Sequence, residues 1–337
     1  MKNRLSELAT FLLVLLPTGL CVLAGAPALA QDTATAQASA GDSDWRQGLD
    51  AWRAERERAV SAPDGWLTLV GLEWLKPGFN SFGAAKDNLI QVRAQAPDHI
   101  GLLTVSGKVA GGKTASKQTA PSDTIVQLLA PAGGFPPDLT VDGAPAREGQ
   151  LTVGNAKPPV IAWHGLTLAV LARGGRFALR IKDADAPTRA AFHGLNWYVP
   201  DPRFRLTAVW IPFDPPRIEK IPTGLGTTLD LPAPGIAEFT LDGQTLRLEP
   251  VVEETGGQTL FFILRDTTSQ STTYAEARFL HTGLPDHGLG QPGNLTLDFN
   301  RLENPACAYT PYANCPQPPE QNRLPVELKA GEKLYAR

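Results

Sequence analysis

The sequence predicts a mostly β protein with two β domains and one N-terminal helix. The 337 residues include 30 prolines and 32 glycines spread along the chain, so many turns and short elements are expected. From Trp66 onward apolar residues recur with a period of two, in short segments about ten residues apart. Asp-Gly pairs at 142–143 and 242–243 are typical of two-residue hairpin turns. This pattern is typical of β sandwiches.

The first part of the chain has the features of a signal peptide, which we assign to residues 1–30. Lys2 and Arg4 give a basic start, residues 8–26 carry no charge, and Ala-Leu-Ala at 28–30 suits a signal peptidase. We therefore expect an exported protein, periplasmic or secreted, without a stable membrane anchor once the signal is cleaved. The uncharged run is about long enough to span a bilayer, so an uncleaved anchor is the alternative.

Composition and periodicity divide the rest of the chain into four parts. Residues 31–44 are rich in Ala, Thr, Ser and Gln and predict a disordered lead-in. Asp44 can cap a helix over residues 45–62, in which Trp45, Leu49 and Trp52 recur at i, i+4 and i+7. A first β sandwich is expected over residues 63–186. The remainder, 187–337, predicts a second sandwich or small barrel that ends in a Pro-rich tail.

Charge excludes one class of partner. The net charge is −3, and it becomes −4 once two basic residues and one acidic residue leave with the signal peptide. A nucleic-acid-binding domain normally carries a strong basic excess. The sequence therefore predicts no nucleic-acid partner.

Two of the three cysteines remain after signal cleavage, Cys307 and Cys315. An even pair in an oxidising compartment predicts a disulfide, and so short a loop gains roughly 2–3 kcal/mol in the chain-entropy model. A two-thiol metal or redox site is the alternative, although the spacing of eight and the lack of a nearby His disfavour it.

The sequence predicts no cofactor and no metal. Residues 107–114 match the P-loop pattern, but the surrounding chain is β and no amphipathic helix follows. His281, Asp286 and His287 lie in a loop after a strand, where histidines are usually solvated. No nucleophile–base pair follows from residue spacing, so enzymatic activity is left undecided.

Strand alternation predicts one polar cluster. Residues 295–299 and 272–280 each read as a strand with one apolar and one polar face. If these strands pair, their polar faces and the tail bring together six side chains as a candidate ligand site, namely Arg278, Glu276, Asp298, Asn300, Asn304 and Asn322. The alternative is a buried network that pins the tail to the sheet, since Asn side chains often cap irregular backbone.

A basic patch is the second candidate. Arg176, Arg180 and Lys182 alternate with apolar residues along one predicted strand, and Arg189 follows shortly after it. These cations lie near the expected junction of the two β domains, where ligands often bind. A solvated strand face is the alternative.

Three segments carry a family resemblance. They are Gly65–Leu67 with residues 71–75 and 80–83, then residues 178–183 with Pro187, Arg189, Phe192, Gly194, Leu195 and Trp197, and finally residues 297–332 with Cys307 and Cys315. In these segments the chain resembles the bacterial and archaeal family called domain of unknown function 1684. The resemblance covers nearly the whole chain after the signal peptide, and the family implies no agreed activity.

The first β domain also resembles, more distantly, a forkhead-associated (FHA) sandwich. Residues 82–83 with 88–90, and residues 139–143 with 151–154, resemble its first binding loop and its closing strands. Phosphothreonine readers of that fold carry an Arg directly after the early Gly, where this chain has Ala84. No phosphopeptide partner is therefore expected.

These features predict an exported protein that binds a small polar molecule in a pocket of the second β domain. The alternative is a non-catalytic envelope module that docks a protein or glycan through the first sandwich.

Overall fold

A computed structural model describes residues 28–107, 124–153, 157–173, 175–253 and 257–336. Most of the predicted signal peptide and most of the P-loop-like segment lie outside the described residues. The chain divides into two compact units, residues 1–45 and 46–337. Both predicted β domains lie in the second unit.

A long helix, α1, spans Ala28–Ser61. It therefore includes residues 31–44, which composition predicts to be disordered, and Asp44 is not its first residue. The segment contains no Pro and is rich in Ala, the strongest helix former, which makes helix the favoured regular structure there. Leu49 on α1 is fully buried, and Trp52 packs edge-on against Trp197 at 5.5 Å. No helix within the described ranges is both long and apolar enough to cross a membrane.

The first β domain is a sandwich of two sheets. In chain order its strands are β1 Leu69–Trp74, β2 Gly78–Gly83, β3 Ile90–Gln91, β4 Gly101–Ser106, β5 Ile125–Leu129, β6 Thr140–Val141, β7 Ala144–Pro145, β8 Gly149–Leu151, β9 Val160–Trp163, β10 Leu166–Arg173 and β11 Arg176–Asp183. One sheet has the order β1-β11-β10-β9-β6-β7 and the other the order β3-β2-β4-β5-β8. Alternate residues of both sheets, such as Phe82, Leu103 and Leu179, meet in one buried core.

The second β domain follows a short helix, α2 Pro187–Ala190. Its strands are β12 Arg205–Pro222, β13 Thr228–Leu241, β14 Gln244–Leu248, β15 Leu260–Leu264, β16 Arg278–Thr282 and β17 Gly293–Asp298. They form a four-stranded sheet, β14-β13-β12-β17, and a two-stranded sheet, β15-β16. These sheets share a second buried core and do not close into a barrel. The mostly β fold class is confirmed.

Both Asp-Gly pairs form the predicted tight hairpins. Asp142 and Gly143 have φ of 50° and 78°, and Asp242 and Gly243 have φ of 49° and 79°. Positive φ at both central residues is the requirement of a type I′ turn, which Asn, Asp and Gly tolerate best. These turns join β6 to β7 and β13 to β14.

The strand predicted over residues 272–280 is wrong for its first six residues. A 3-10 helix, Thr267–Gln270, is followed by a turn in which the amides of Thr272 and Thr273 both donate to the Thr268 carbonyl. The Thr268 and Thr273 hydroxyls also bond at 2.9 Å. These local bonds compete with the sheet ladder, so β16 begins only at Arg278. Glu276 therefore shares no strand face with Arg278.

The Pro-rich tail has little regular structure apart from three 3-10 helices, Phe299–Arg301, Ala306–Ala308 and Glu320–Asn322. The predicted disulfide joins Cys307 and Cys315, with Cα atoms 6.1 Å apart. The tail also contacts the first β domain, since the Thr310 hydroxyl donates to the Leu69 carbonyl at 2.8 Å. This contact helps to explain why the two β domains form one compact unit.

Candidate functional site

Arg278 lies inside the second β domain rather than in an open site. Its side chain is 1% exposed and pairs with the fully buried Asp266 at 2.7 Å. The same guanidinium donates to the carbonyls of Leu328, at 2.8 Å, and Ala330. Both carbonyls belong to the tail, which therefore covers Arg278. Glu276, the predicted neighbour of Arg278, is exposed.

Asp298 and Asn300 belong to a different network from Arg278. An oxygen of Asp298 accepts from the Asn300 amide N–H at 3.1 Å and caps the 3-10 helix that follows. Asp298 also lies 3.7 Å from Arg301. The Asn300 side chain bonds both the N–H and the carbonyl of Asp201, each at 2.9 Å. The expected convergence of Arg278 with Asp298 is therefore absent.

The two remaining asparagines of the predicted cluster satisfy irregular backbone. The Asn322 side chain accepts from the Glu249 N–H at 2.8 Å and donates to the carbonyls of Glu249 and Ile263 at 2.9 and 3.0 Å. The Asn304 side chain donates to Glu332 and to the Lys333 carbonyl. These contacts match the structural alternative that the sequence left open.

A pocket of about 260 Å³ lies where the outer face of the first sandwich meets the tail. The sandwich contributes the 3-10 helix Trp66–Thr68 and strands β1, β10 and β11, while α1, β16 and residues 303–316 complete the walls. Its lining residues are Arg56, Trp66, Leu69, Leu72, Leu171, Arg180, Phe279, Glu303, Asn304, Pro305, Ala306, Tyr312, Ala313, Asn314, Cys315 and Pro316. Asn304 from the predicted polar cluster, Arg180 from the predicted basic patch and Cys315 from the predicted disulfide line it.

Strand alternation places Arg180 on the pocket wall. Residues 177, 179 and 181 of β11 face the core of the sandwich, so Arg180 faces outward, directly opposite Leu72 on β1. The other predicted patch cations have different neighbours. Arg176 stacks on Trp74 at 4.1 Å, whereas Arg189 donates to the carbonyls of Ser61 and Ala184, each at 2.8 Å.

Arg180 is half-buried and has no hydrogen bond or ion pair to any of the residues that the structure describes. Burial alone lowers the pKa of its guanidinium, since no carboxylate near it offsets the loss of hydration. Lys182, two residues further along β11, donates to the Asp64 carbonyl and lies 5.9 Å from the Trp66 ring centre. Arg180 is thus a pocket cation that lacks a counter-ion within the described ranges.

Arg56, the other pocket cation, is neutralised. Its guanidinium lies 3.3 Å from Glu303 and 3.6 Å from Glu332, and it donates to the Asn304 carbonyl at 2.7 Å. Burial opposes the charged form, but Glu303, Tyr309 and Glu332 together raise the pKa of Arg56. Burial in turn raises the pKa of Glu332, and Arg56 offsets this only in part.

Burial raises the pKa of the Tyr309 hydroxyl well above its ordinary value, and the neighbouring Glu332 adds to the effect. The Tyr309 hydroxyl donates to Glu332, so it shares a buried network with Arg56. This network fixes Arg56 and thereby the α1 side of the pocket. Among the described residues, no group of three or more His, Cys, Asp or Glu is arranged to hold a metal ion.

The sequence predicted neither the position of the pocket nor most of its lining residues. Trp66 and Leu72 lie more than 200 residues before Glu303 in the chain, and only the packing of the tail against β1 brings them together. One signal was available, because the periodicity of β11 already separates Arg180 from the apolar core face. The absence of a partner for Arg180 could not be predicted from that periodicity.

The fold and the pocket define a two-domain β protein with a small cavity between a sandwich face and a disulfide-closed tail. A model of the family described as "Protein of unknown function (DUF1684)" matches residues 190–333. A solution NMR structure of an uncharacterised protein from Haloarcula marismortui is 31% identical, and the match covers 43% of this chain and 78% of that chain, with a TM-score of 0.36. The chain therefore belongs to the DUF1684 family.

No curated protein matches the chain. The family model lies outside residues 63–186, so the forkhead-associated resemblance of the first β domain stays a prediction.

Proposed function

We propose that the protein binds a small organic anion in the pocket between the first sandwich and the tail, called the junction pocket from here on, with Arg180 as the anchor for the acidic group. The observation that carries this proposal is a half-buried guanidinium that lines a cavity without a partner among the described residues. Ligand pockets are typically apolar cavities with a few placed polar groups, often at a junction of domains. The apolar lining and the single unpaired cation fit that description.

The energetics of Arg180 support a functional rather than a structural role. A desolvated charge without a partner costs folding free energy, whereas an apolar side chain of similar length does not. Nothing in the described structure compensates for this cost. A residue that destabilises the fold is expected where function requires it.

Export remains part of the proposal. The Cys307–Cys315 disulfide supports it, because such bonds persist mainly in oxidising compartments. The same disulfide closes the loop that forms one wall of the pocket. Ligand binding would then occur outside the cytoplasm.

The test compares two variants that remove the same charge from the same strand. Arg180→Met and Arg176→Met both delete a guanidinium from the outer face of β11, but only Arg180 lines the pocket. Calorimetry with a panel of small organic acids should show micromolar to millimolar binding to the native protein and to Arg176→Met. Binding to Arg180→Met should fall by roughly 10- to 100-fold, as expected for lost charge-assisted hydrogen bonds.

Stability provides the second readout. Arg180→Met should unfold at the same or a higher urea concentration than the native protein, because the removed charge pairs with no residue that the structure describes. Equal binding by all three proteins, or none by any of them, would overturn the proposal. A marked loss of stability in Arg180→Met would show that its role is structural.

A further inference from the structure

We infer that the ligand is a small monocarboxylic acid, with its carboxylate on Arg180 and its apolar body against the tail. This inference rests on the proposed function and specifies its ligand class. It follows from the charge of the pocket, the composition of its walls and its volume. Each of these can be read from the described residues.

The charge balance favours one negative charge on the ligand. Arg56 is held by Glu303 and Glu332, so its charge is already compensated. Within the described part of the chain Arg180 has no such partner, and Glu303 adds a negative charge to the pocket lining. A dianion such as a phosphate monoester would place a second charge near Glu303 without a second free cation. That uncompensated charge would be costly in a largely apolar cavity.

Among singly charged anions, the planar shape of the guanidinium favours a carboxylate. Arginine presents parallel N–H donors in a fixed plane, which match the two oxygens of a carboxylate. Arg180 has all its donors available, since none bonds to a described residue. A bidentate pair is therefore compatible with this side chain.

The remaining walls favour an apolar body. Leu69, Leu72 and Leu171 line the sandwich side, while Phe279, Pro305 and Pro316 line the other side. These side chains offer no hydrogen bonds, so a polar group of the ligand that lies against them would lose hydration without replacement; Asn304, Tyr312 and Asn314 elsewhere on the lining can bond polar groups. An alkyl chain or a single ring has no hydrogen bonds to water to lose and is favoured to leave water for this space.

The volume allows a ligand with an organic body. A cavity of about 260 Å³ has room for more than a single ion or water molecule. Heptanoate and benzoate both contain seven carbons and two oxygens. We therefore use these acids as probes of a flexible and a rigid body of the same size.

The experiment varies the head group and the chain length separately. Isothermal calorimetry compares heptanoate and benzoate with heptanol, heptanamide and heptyl phosphate, on the native protein and on Arg180→Met. Heptanoate should bind roughly 10- to 100-fold tighter than heptanol and heptanamide, and this advantage should disappear in Arg180→Met. Across the acids from butanoate to heptanoate, each methylene that is buried should tighten binding by about 3- to 4-fold.

The outcomes separate this inference from the proposed function. If the acids bind through Arg180 with no dependence on chain length, or if heptyl phosphate binds more tightly than heptanoate, the ligand class is wrong and anion binding stands. If the alcohol binds as tightly as the acid and Arg180→Met changes nothing, both are wrong. A head-group preference with the expected length dependence, lost in Arg180→Met and kept in Arg176→Met, supports both.

Discussion

Replacement of Arg278 by Met removes the buried cation that fixes the tail to the second β domain. The guanidinium is 1% exposed, and its partner Asp266 is 0% exposed. The substitution leaves that carboxylate without a counter-charge and removes the Arg278 donors from the carbonyls of Leu328, which keeps its bond from the Ala330 N–H, and Ala330. Breaking a buried pair from one side typically costs about 3–5 kcal/mol, so we expect a loss of this size in the free energy of unfolding.

An exposed ion pair with the same N···O distance provides the control. Arg247 lies 2.7 Å from Glu238, the distance that separates Arg278 from Asp266, but the Arg247 side chain is 64% exposed. Arg247→Met should therefore cost less than about 1 kcal/mol. Urea titration, monitored by tryptophan fluorescence, measures the free energy of unfolding of both variants. A loss below about 1 kcal/mol for Arg278→Met, equal to that of Arg247→Met, would refute the structural role assigned to Arg278.

A double substitution tests the physical reason for the loss. Asp266→Asn in the Arg278→Met background removes the unpaired charge while the Asn oxygen can still accept from the Thr268 N–H. It should recover part of the lost stability. In a protein that remains folded, Arg278→Met should not alter ligand affinity in the junction pocket, because Arg278 does not line it.

Three further predictions concern the tail. Burial raises the pKa of Glu332 above its ordinary 4.5, so the folded protein binds a proton at this carboxyl more tightly than the unfolded chain does. The free energy of unfolding should therefore fall as pH rises from about 4.5 to the folded-state pKa. Glu332→Gln should remove that component in urea titrations between about pH 4 and 8, and an unchanged pH slope would contradict it. Replacing Cys307 and Cys315 by Ser should lower the free energy of unfolding by about 2.5 kcal/mol. It should also weaken ligand binding, because the loop that the disulfide closes lines the pocket; unchanged affinity would show that the disulfide does not shape the binding site. Asn322→Ala should cost roughly 3 kcal/mol by urea titration, since one buried and two partly buried hydrogen bonds are lost, while ligand affinity stays the same. A cost below about 0.5 kcal/mol would show that these bonds contribute little.

Much of the fold could be predicted because local chemistry determines it. The Asp-Gly turns need positive φ, which the structure shows at 142–143 and 242–243. The alternation along β11 separates Arg180 from Leu179 and Ile181 without any knowledge of the neighbouring strands. The disulfide followed from two cysteines left in one short segment.

The polar cluster could not be predicted in the same way. Residues 272–277 alternate like a strand, but hydroxyl bonds between Thr268 and Thr273 stabilise a turn instead. The partner of Arg278 is Asp266, a residue whose turn position gave no hint of burial. The pocket depends on contacts between β1 and residues more than 200 positions later, such as the bond from Thr310 to Leu69. Periodicity carries no information about such contacts.

A crystal structure of the protein with heptanoate tests the central claim most directly. The claim is that Arg180 anchors a monocarboxylic acid. It predicts that the ligand lies in the junction pocket, with carboxylate oxygens about 2.7–2.9 Å from the guanidinium nitrogens of Arg180. Its alkyl chain should contact Leu171 and Phe279. The claim is contradicted if the acid binds elsewhere, or if the pocket holds no ligand and Arg180 instead pairs with a carboxylate of the protein.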